Sequence, residues 1–397
     1  MTPAAYALAG FLAALYLVGE GARRCGAPAL VGEIIVGLVL GPYGFDVVPQ
    51  TRACTIAGEL GLALLVLEGG LHVDLKTLRD VGGVATRVAV AGTALPALAA
   101  WGLLALLPAF TAREGLLCGV ALSSTAIGMA AQLMTDLGLI ETELGRVVVT
   151  AAMVDDVLSL VLLAVVRKST TTFVDVAKPV GASAAVVVAG VGLAALTPRV
   201  VARRPAPPDV LVAAALALGA GAAFAADKAG STPLLGCFAA GVCFASVEGV
   251  ARRFDEVCAP PAAWLYRVFF ASIGFVVPLG KLASAPAALY GLLLSLVAVL
   301  TKVGTGLFYR ADPWKVGWAM VGRGELGFVM ALETFRSGRT SRLALSVTVW
   351  ALLVATLVSP IVLRRLLARG DGVEGESEDE TRRAEASAPA AKAAAPA

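Results

Sequence analysis

The sequence predicts an all-α polytopic membrane protein of about 13 transmembrane helices, and three observations lead there. The 397-residue chain is 58% hydrophobic and only 15% charged, with a mean hydropathy of +0.84; a soluble domain carries about 25% charge. Apolar runs of roughly 20 residues, the length that crosses a bilayer, recur along nearly the whole chain. Its 43 glycines suit close approach of helices in lipid, where small residues sit at interfaces.

In order, the apolar spans cover residues 4–20, 28–45, 55–74, 83–108, 114–135, 145–166, 174–198, 209–226, 232–247, 263–279, 284–309, 315–335 and 343–366. The first begins almost at the initiator Met with no basic segment before it, and so reads as a retained helix rather than a cleaved signal. The loops are short, which predicts one membrane domain over residues 1–369. From Asp371 to Glu380 six acids occur, with Ala, Pro and Lys filling the rest to Ala397. Residues 370–397 cannot bury a core and are expected to be a disordered cytoplasmic tail. One side of the predicted membrane collects Arg23, Arg24, Lys76, Arg79, Arg252 and Arg253 among others and holds the larger share of basic residues. The positive-inside rule makes that side cytoplasmic, with the amino terminus outside and the carboxy terminus inside. The plasma membrane is the expected location, and an organelle membrane is the alternative.

Several function classes fall away. A net charge of +3 argues for no nucleic-acid partner. The six cysteines (Cys25, Cys54, Cys118, Cys237, Cys243 and Cys258) show no metal or redox spacing and read as small hydrophobes. His72, the only histidine, stands at the end of a predicted helix and reads as an interfacial residue. No catalytic triad, phosphate loop or metal motif occurs, so neither an enzyme nor a resident cofactor is expected.

What remains is charge inside the membrane. Asp155 and Asp156 stand side by side within the apolar stretch 147–166. One carboxylate at mid-membrane costs about 2.5–3.5 kcal/mol on insertion scales, and such a residue is by default an ion or proton site. Glu33, Glu59, Glu68, Lys302, Arg323 and Glu325 also fall within spans. Lys302 is the natural counter-charge for one aspartate. Neighbouring residues on a helix point about 100° apart, so the two aspartates occupy different environments. One can pair with Lys302 while the other faces water and exchanges protons for a monovalent cation. The plainer reading is a static buried salt-bridge knot, which leaves one of two acids without a base.

Two spans look interrupted. Ala121-Leu-Ser-Ser-Thr-Ala-Ile-Gly128 places three hydroxyls at mid-membrane, and either an intact helix or an unwound, ion-coordinating stretch accounts for them. Met320-Val-Gly-Arg-Gly-Glu-Leu-Gly327 puts two charges and three glycines inside a span and is expected to break it. There Arg323 neutralises an exposed helix end or pairs with a glutamate. The interrupted spans lie seven apart. So do spans two and nine, which share a proline followed by two glycines five apart, Gly32 and Gly37 against Gly236 and Gly241. An odd separation makes the copies inverted in the membrane, the arrangement of secondary transporters.

These residues resemble the monovalent cation/proton antiporter superfamily, in the bacterial-type Na+/H+ exchanger, Kef/NapA-like branch. The likeness runs through Gly26 to Pro42, Gly61 to Leu71, Ser123-Ser-Thr125, the Asp155-Asp156 pair, Phe269 to Gly274, Lys302 and Gly322-Arg-Gly-Glu325, in the family's order over residues 26–330. The resemblance implies inverted repeats with two crossing discontinuous helices, a core domain, and a panel domain that makes a homodimer. The core moves against the panel in an elevator-like cycle. Asp156 is then the main carboxylate for Na+ and H+, and Asp155 pairs with Lys302 in one state and releases it in another. Thr125 and Ser124 lie at the crossover, and Arg323, Glu325, Glu68 and Glu33 stabilise the core. Members with two acids resemble electrogenic exchangers, which implies Na+ or Li+ exchange for H+. The alternative is Kef-like K+/H+ exchange. Kef systems commonly have Gln-Asp at the pair and a nucleotide-binding domain, whereas this chain has Asp155 and no G-x-G-x-x-G after Arg369, so no nucleotide-binding regulatory domain is expected. The expected partners are monovalent cations, protons, the lipid bilayer and a second copy.

Overall fold

The computed structural model describes residues 3–136, 138–167, 173–203 and 205–387. Their regular structure is helical: α1 Pro3–Arg24, α2 Ala29–Leu40, α3 Arg52–Leu71, α4 Leu75–Ala105, α5 Ala112–Ala121, α6 Ile127–Asp136, α7 Glu143–Arg167, α8 Phe173–Arg203 and α9 Pro208–Ala229. Then follow α10 Pro233–Ala245, α11 Val250–Val257, α12 Ala259–Gly274, α13 Leu279–Leu282, α14 Ala285–Thr305, α15 Pro313–Ala319, α16 Glu325–Arg336 and α17 Arg342–Ser387. Among the described residues seven helices are long and apolar enough to cross a membrane: α3, α4, α7, α8, α9, α14 and the Arg342–Leu366 part of α17.

Local chemistry sets many of the boundaries. Thr111 begins α5 with a capping box, its hydroxyl accepting from Glu114 N–H while the Glu114 carboxylate accepts from Thr111 N–H. Asp74 caps α4 in the same way, accepting from the N–H groups of Lys76 and Thr77. Prolines open α9, α10, α14 and α15 within the first turn, where a missing N–H costs nothing. Gly230, at φ 98°, closes α9 in the left-handed conformation.

The helices pack in two groups. In the first, contacts run α1 to α2, α2 to α12, α12 to α3, α3 to α10 and α10 to α9. The second joins α4 to α5, α7 and α14, α14 to α15 and α17, and the halves α6 and α16 to α7 and α17. α8 packs on α10 and α7 and so touches both groups. Exchanging α1 with α9, α2 with α10, α3 with α12, α4 with α14, α5 with α15, α6 with α16 and α7 with α17 maps the pairings just named within the two groups onto one another, whereas the packing of α16 on α5 has no such counterpart.

The glycine pairs follow that exchange. A Cβ at Gly32 would strike the backbone of Val18 on α1, and one at Gly236 the backbone of Ala222 on α9. Gly37 meets Ala271 on α12, and Gly241 meets Leu67 on α3. Four backbone-to-backbone approaches thus explain why the two copies share their glycines.

One sequence expectation differs from the structure. Residues 250–257, read as a loop, form α11, a short amphipathic helix with only Val250 and Phe254 buried. The last helix, α17, is continuous from Arg342 to Ser387. Residues 388–397 lie outside the described part of the chain.

Candidate functional site

Both spans expected to be interrupted are interrupted. α5 stops at Ala121 and α6 starts at Ile127; α15 stops at Ala319 and α16 starts at Glu325. The two breaks touch. Ala126 N–H donates to the Gly322 carbonyl at 3.0 Å, joining residues 122–126 to residues 320–324. A Cβ at Gly324 would come within 2.8 Å of the Thr125 carbonyl oxygen, so only glycine allows the crossing this close.

Unwinding leaves helix-end carbonyls without partners, and a buried carbonyl needs a donor. Arg323 supplies one. Its side chain is fully buried, one Nη donates to the Leu122 carbonyl at the end of α5, and the other donates to the Ala298 carbonyl of α14 at 2.6 Å. Of the two roles the sequence allowed, it takes helix-end neutralisation, with no glutamate within ion-pair distance among the described residues.

Asp155 lies at the middle of the 25-residue α7 and is fully buried. Lys302 Nζ approaches its Oδ2 at 3.3 Å, with both side chains inaccessible to solvent. The same ammonium donates to Thr125 Oγ1 at 2.7 Å, so it also reaches into the first break. Lys302 occupies the last turn of α14, where the helix dipole favours a cation.

Sequence reasoning missed two members of this cluster. Thr93 of α4 donates its hydroxyl to Asp155 Oδ1 at 2.9 Å. Gly92 beside it leaves room for the Lys302 ammonium, which would lie 3.0 Å from a Cβ there. The available signal was Gly92-Thr93 inside an otherwise apolar span, a hydroxyl where packing asks for none.

Asp156 differs from its neighbour. It is partly accessible and has no ion pair among the described residues. Glu325, first residue of α16, is a charge neighbour of Asp156, as are Asp155 and Lys302, the last beyond ion-pair distance. Ser124 and Ser159 hold buried hydroxyls with no hydrogen-bond partner among the described residues, and Arg323 Nε is likewise unpartnered. Ser159 is one turn from the aspartate pair, so these groups leave donors and acceptors open around the site.

A cavity of about 280 Å³ lies between α3, α7, α10, α12 and α16, lined by Glu59, Leu62, Leu163, Arg167, Ser272 and Glu333 among others. Leu163 and Arg167 are seven and eleven residues after Asp156, so the cavity follows the Asp156 face of α7.

The other two predicted acids lie elsewhere. Glu33 on α2 pairs with Arg267 on α12 at 3.6 Å, and Glu68 on α3 accepts from Tyr266 Oη at 2.6 Å. Both belong to the first helix group. His72, expected to be interfacial, caps α3 and bridges to Asp255 of α11 at 3.1 Å. No cluster of three or more His, Cys, Asp or Glu suited to a metal occurs among the described residues.

The comparison that decides the family is the match of residues 10–369 to the model of the transmembrane sodium/hydrogen exchanger family. The chain belongs to that family. It is an integral multi-pass membrane protein of the cation/proton antiporter class and not an enzyme. Similar proteins include the Na(+)/H(+)-K(+) antiporter GerN of Bacillus cereus, 26% identical over 90% of this chain and 95% of that one. The Na(+)/H(+) antiporter of Enterococcus hirae is 26% identical over 86% of this chain and 92% of its own length. The glutathione-regulated potassium-efflux protein KefC of Cronobacter sakazakii is 29% identical over 93% of this chain and 62% of itself. The fold matches the sodium proton antiporter MjNhaP1 of Methanocaldococcus jannaschii with a TM-score of 0.69 at 17% identity, covering 92% of this chain and 98% of that one.

Proposed function

We propose that the chain exchanges Na+ or Li+ for H+ and that Asp156 is its main ion and proton carboxylate. The observation that carries this reading is the division between the aspartates. Asp155 is neutralised by Lys302 and held by Thr93, whereas Asp156 is partly accessible and has no base within ion-pair distance among the described residues. A carboxylate left open in this way takes a proton or a cation in turn. Thr125 and Ser124, at the crossing, complete the site, and Arg323 with Glu325 holds the breaks. Asp155 releases Lys302 when the occupancy of Asp156 changes, so two carboxylates against one ammonium make the exchange electrogenic.

Alternating access is elevator-like. The group α4–α7 and α14–α17 serves as the moving core, and the row α1, α2, α12, α3, α10, α9 serves as a panel that forms a homodimer. The label exchange that preserves the named pairings supports inverted repeats of seven spans' offset. The amino terminus lies outside and the carboxy terminus in the cytoplasm.

The test is dissipation of a pH gradient in proteoliposomes holding the purified chain, with Na+, Li+ and K+ added in turn. Collapse by Na+ and Li+ but not K+ is expected. Collapse by K+ alone would move the chain to K+/H+ exchange, a reading favoured by its likeness to KefC. No response to any of them would overturn the assignment.

A further inference from the structure

A second charged feature lies on the outer face of α4, away from the aspartate pair. A groove of about 870 Å³ runs along this helix, with Arg79, Gly83, Arg87, Val90 and Ala94 in its wall and Phe308 beside them. The α4 residues recur every three to four positions, so one helical stripe forms it. Most of that stripe is exposed, and Phe308 keeps 45% of its surface accessible.

The arginines make this more than lipid-facing surface. Arg87 is the fifth residue of the apolar span 83–108, and Arg79 precedes that span, so both stand near the membrane surface at the end where α4 begins. A cation at that level is well placed to meet a lipid headgroup. The one hydrogen bond of Arg87 among the described residues goes from Nε to the Gly83 carbonyl at 3.1 Å. Neither Arg79 nor Arg87 forms an ion pair among the described residues, although Asp80 follows Arg79 in the chain. Their guanidiniums therefore stand uncompensated at the charged end of an apolar groove. Arg79 also borders a second cleft, lined by Leu75, Val191, Ala194 and Ser246, so it sits where two apolar clefts meet.

We propose that this face binds an anionic phospholipid, its headgroup phosphate held between Arg79 and Arg87 and its acyl chains laid along Val90, Ala94 and Leu95 toward Phe308. Planar guanidinium groups suit a phosphate geometrically, and basic pockets beside membrane helices hold such headgroups. The occupant is a lipid rather than a soluble anion because the rest of the groove is apolar and lies within the span.

The test uses the purified, delipidated full chain in detergent and reads Tm with phosphatidylglycerol, phosphatidylcholine or inorganic phosphate added. Phosphatidylglycerol is expected to raise Tm above the value with phosphatidylcholine. That increment should vanish in Arg79→Gln/Arg87→Gln and persist in Arg252→Gln on α11. Ala94→Trp, which fills the groove without touching its charges, should also lose it and keeps the test decisive if the double variant fails to fold. Equal increments from both lipids, or an increment retained in the double variant, would overturn the proposal. An equal increment from inorganic phosphate would make this an ion site and overturn the lipid. A concentration-dependent dimer abolished by Ala94→Trp would make the groove an interface between copies, with the same consequence.

Discussion

Two buried ion pairs lie in the two helix groups, and they are built differently. Glu33 and Arg267 tie α2 to α12 as one acid and one base, 3.6 Å apart, with Tyr16 and Trp264 each 4.9 Å from the guanidinium. Asp155 and Lys302 tie α7 to α14 at 3.3 Å, but beside them stand a second aspartate, two broken helices and buried hydroxyls without partners. The first pair is balanced and sheathed by aromatic rings, which suits a fixed strut. Each has an unpartnered polar atom in or near it, Arg267 Nη1 in the first, but only the second has a surplus acid, which suits a site that exchanges its charge. Burial alone does not distinguish them, since both are nearly inaccessible. Charge surplus and the two broken helices beside it do.

The largest expected effect sets the two pairs apart by activity. Asp156→Asn should reduce cation-dependent exchange to background while the protein remains folded, and Glu33→Gln should leave exchange measurable. Full exchange in the Asp156 variant, measured in proteoliposomes, would erase the distinction.

Next comes stability. Lys302→Ala leaves Asp155 buried without its base, and losing one partner of a buried pair costs about 3–5 kcal/mol. Tm should fall accordingly. Arg267→Ala should cost less, because the Glu33–Arg267 pair is longer and partly reached by solvent, with 13% of the Arg267 side chain accessible against none at Lys302. Equal losses would mean that the pairs are equally structural.

Thr93→Ala removes a neutral donor to a carboxylate, which is worth about 1.5–3 kcal/mol. It should also change the pH profile of exchange, since Thr93 holds the partner of Lys302. A profile identical to the parent's would leave Thr93 a packing residue.

The smallest effects belong to the capping residues outside the spans. Asp74→Ala should cost about 1 kcal/mol, the value of an N-cap. Hydrogen bonds from Thr77 and from the backbone of Lys76 and Thr77 hold the Asp74 carboxyl below its ordinary value. Its contribution is therefore complete above the ordinary aspartate range and is lost as pH falls through the lowered value. Burial opposes the charged ring of His72, but the Glu68 carbonyl and the Asp255 carboxylate outweigh it and raise the imidazole above its ordinary value. The His72–Asp255 bridge is thus complete below the ordinary histidine value and is lost as pH rises through the raised one. Tm should decline by less than about 1 kcal/mol equivalent over that interval, and His72→Gln should flatten it. A decline unchanged in that variant would assign it to another group.

Much of this was legible in sequence because membrane insertion imposes strong local rules. The apolar runs, the cost of Asp155-Asp156 in lipid and the Gly-Arg-Gly interruption each follow from a few neighbouring residues. Spacing also showed that the aspartates part ways, since adjacent helical residues diverge by about 100°. Thr93 was not legible, because a lone hydroxyl in an apolar helix ordinarily bonds its own backbone, and Thr93 does that too, with Ala89. Nor was the separation of Glu33 and Glu68 from the site, because acids within apolar spans look alike until helices are assigned neighbours. α11 was missed because its eight residues carry too few apolar positions to stand out.

By itself, then, the sequence determined that the chain lies in a membrane as helices, where two of them break, and which residues carry charge into the bilayer. Each of these is a property of a segment in lipid, where unsatisfied backbone and unpaired charge are expensive whatever surrounds them. Tertiary structure decided which aspartate Lys302 neutralises, which carbonyls Arg323 serves and which acids stand apart from the site. Those outcomes depend on ångström-scale approach between helices far apart in the chain, such as α4, α7 and α14 around the Asp155 carboxylate, and no segment contains that information alone.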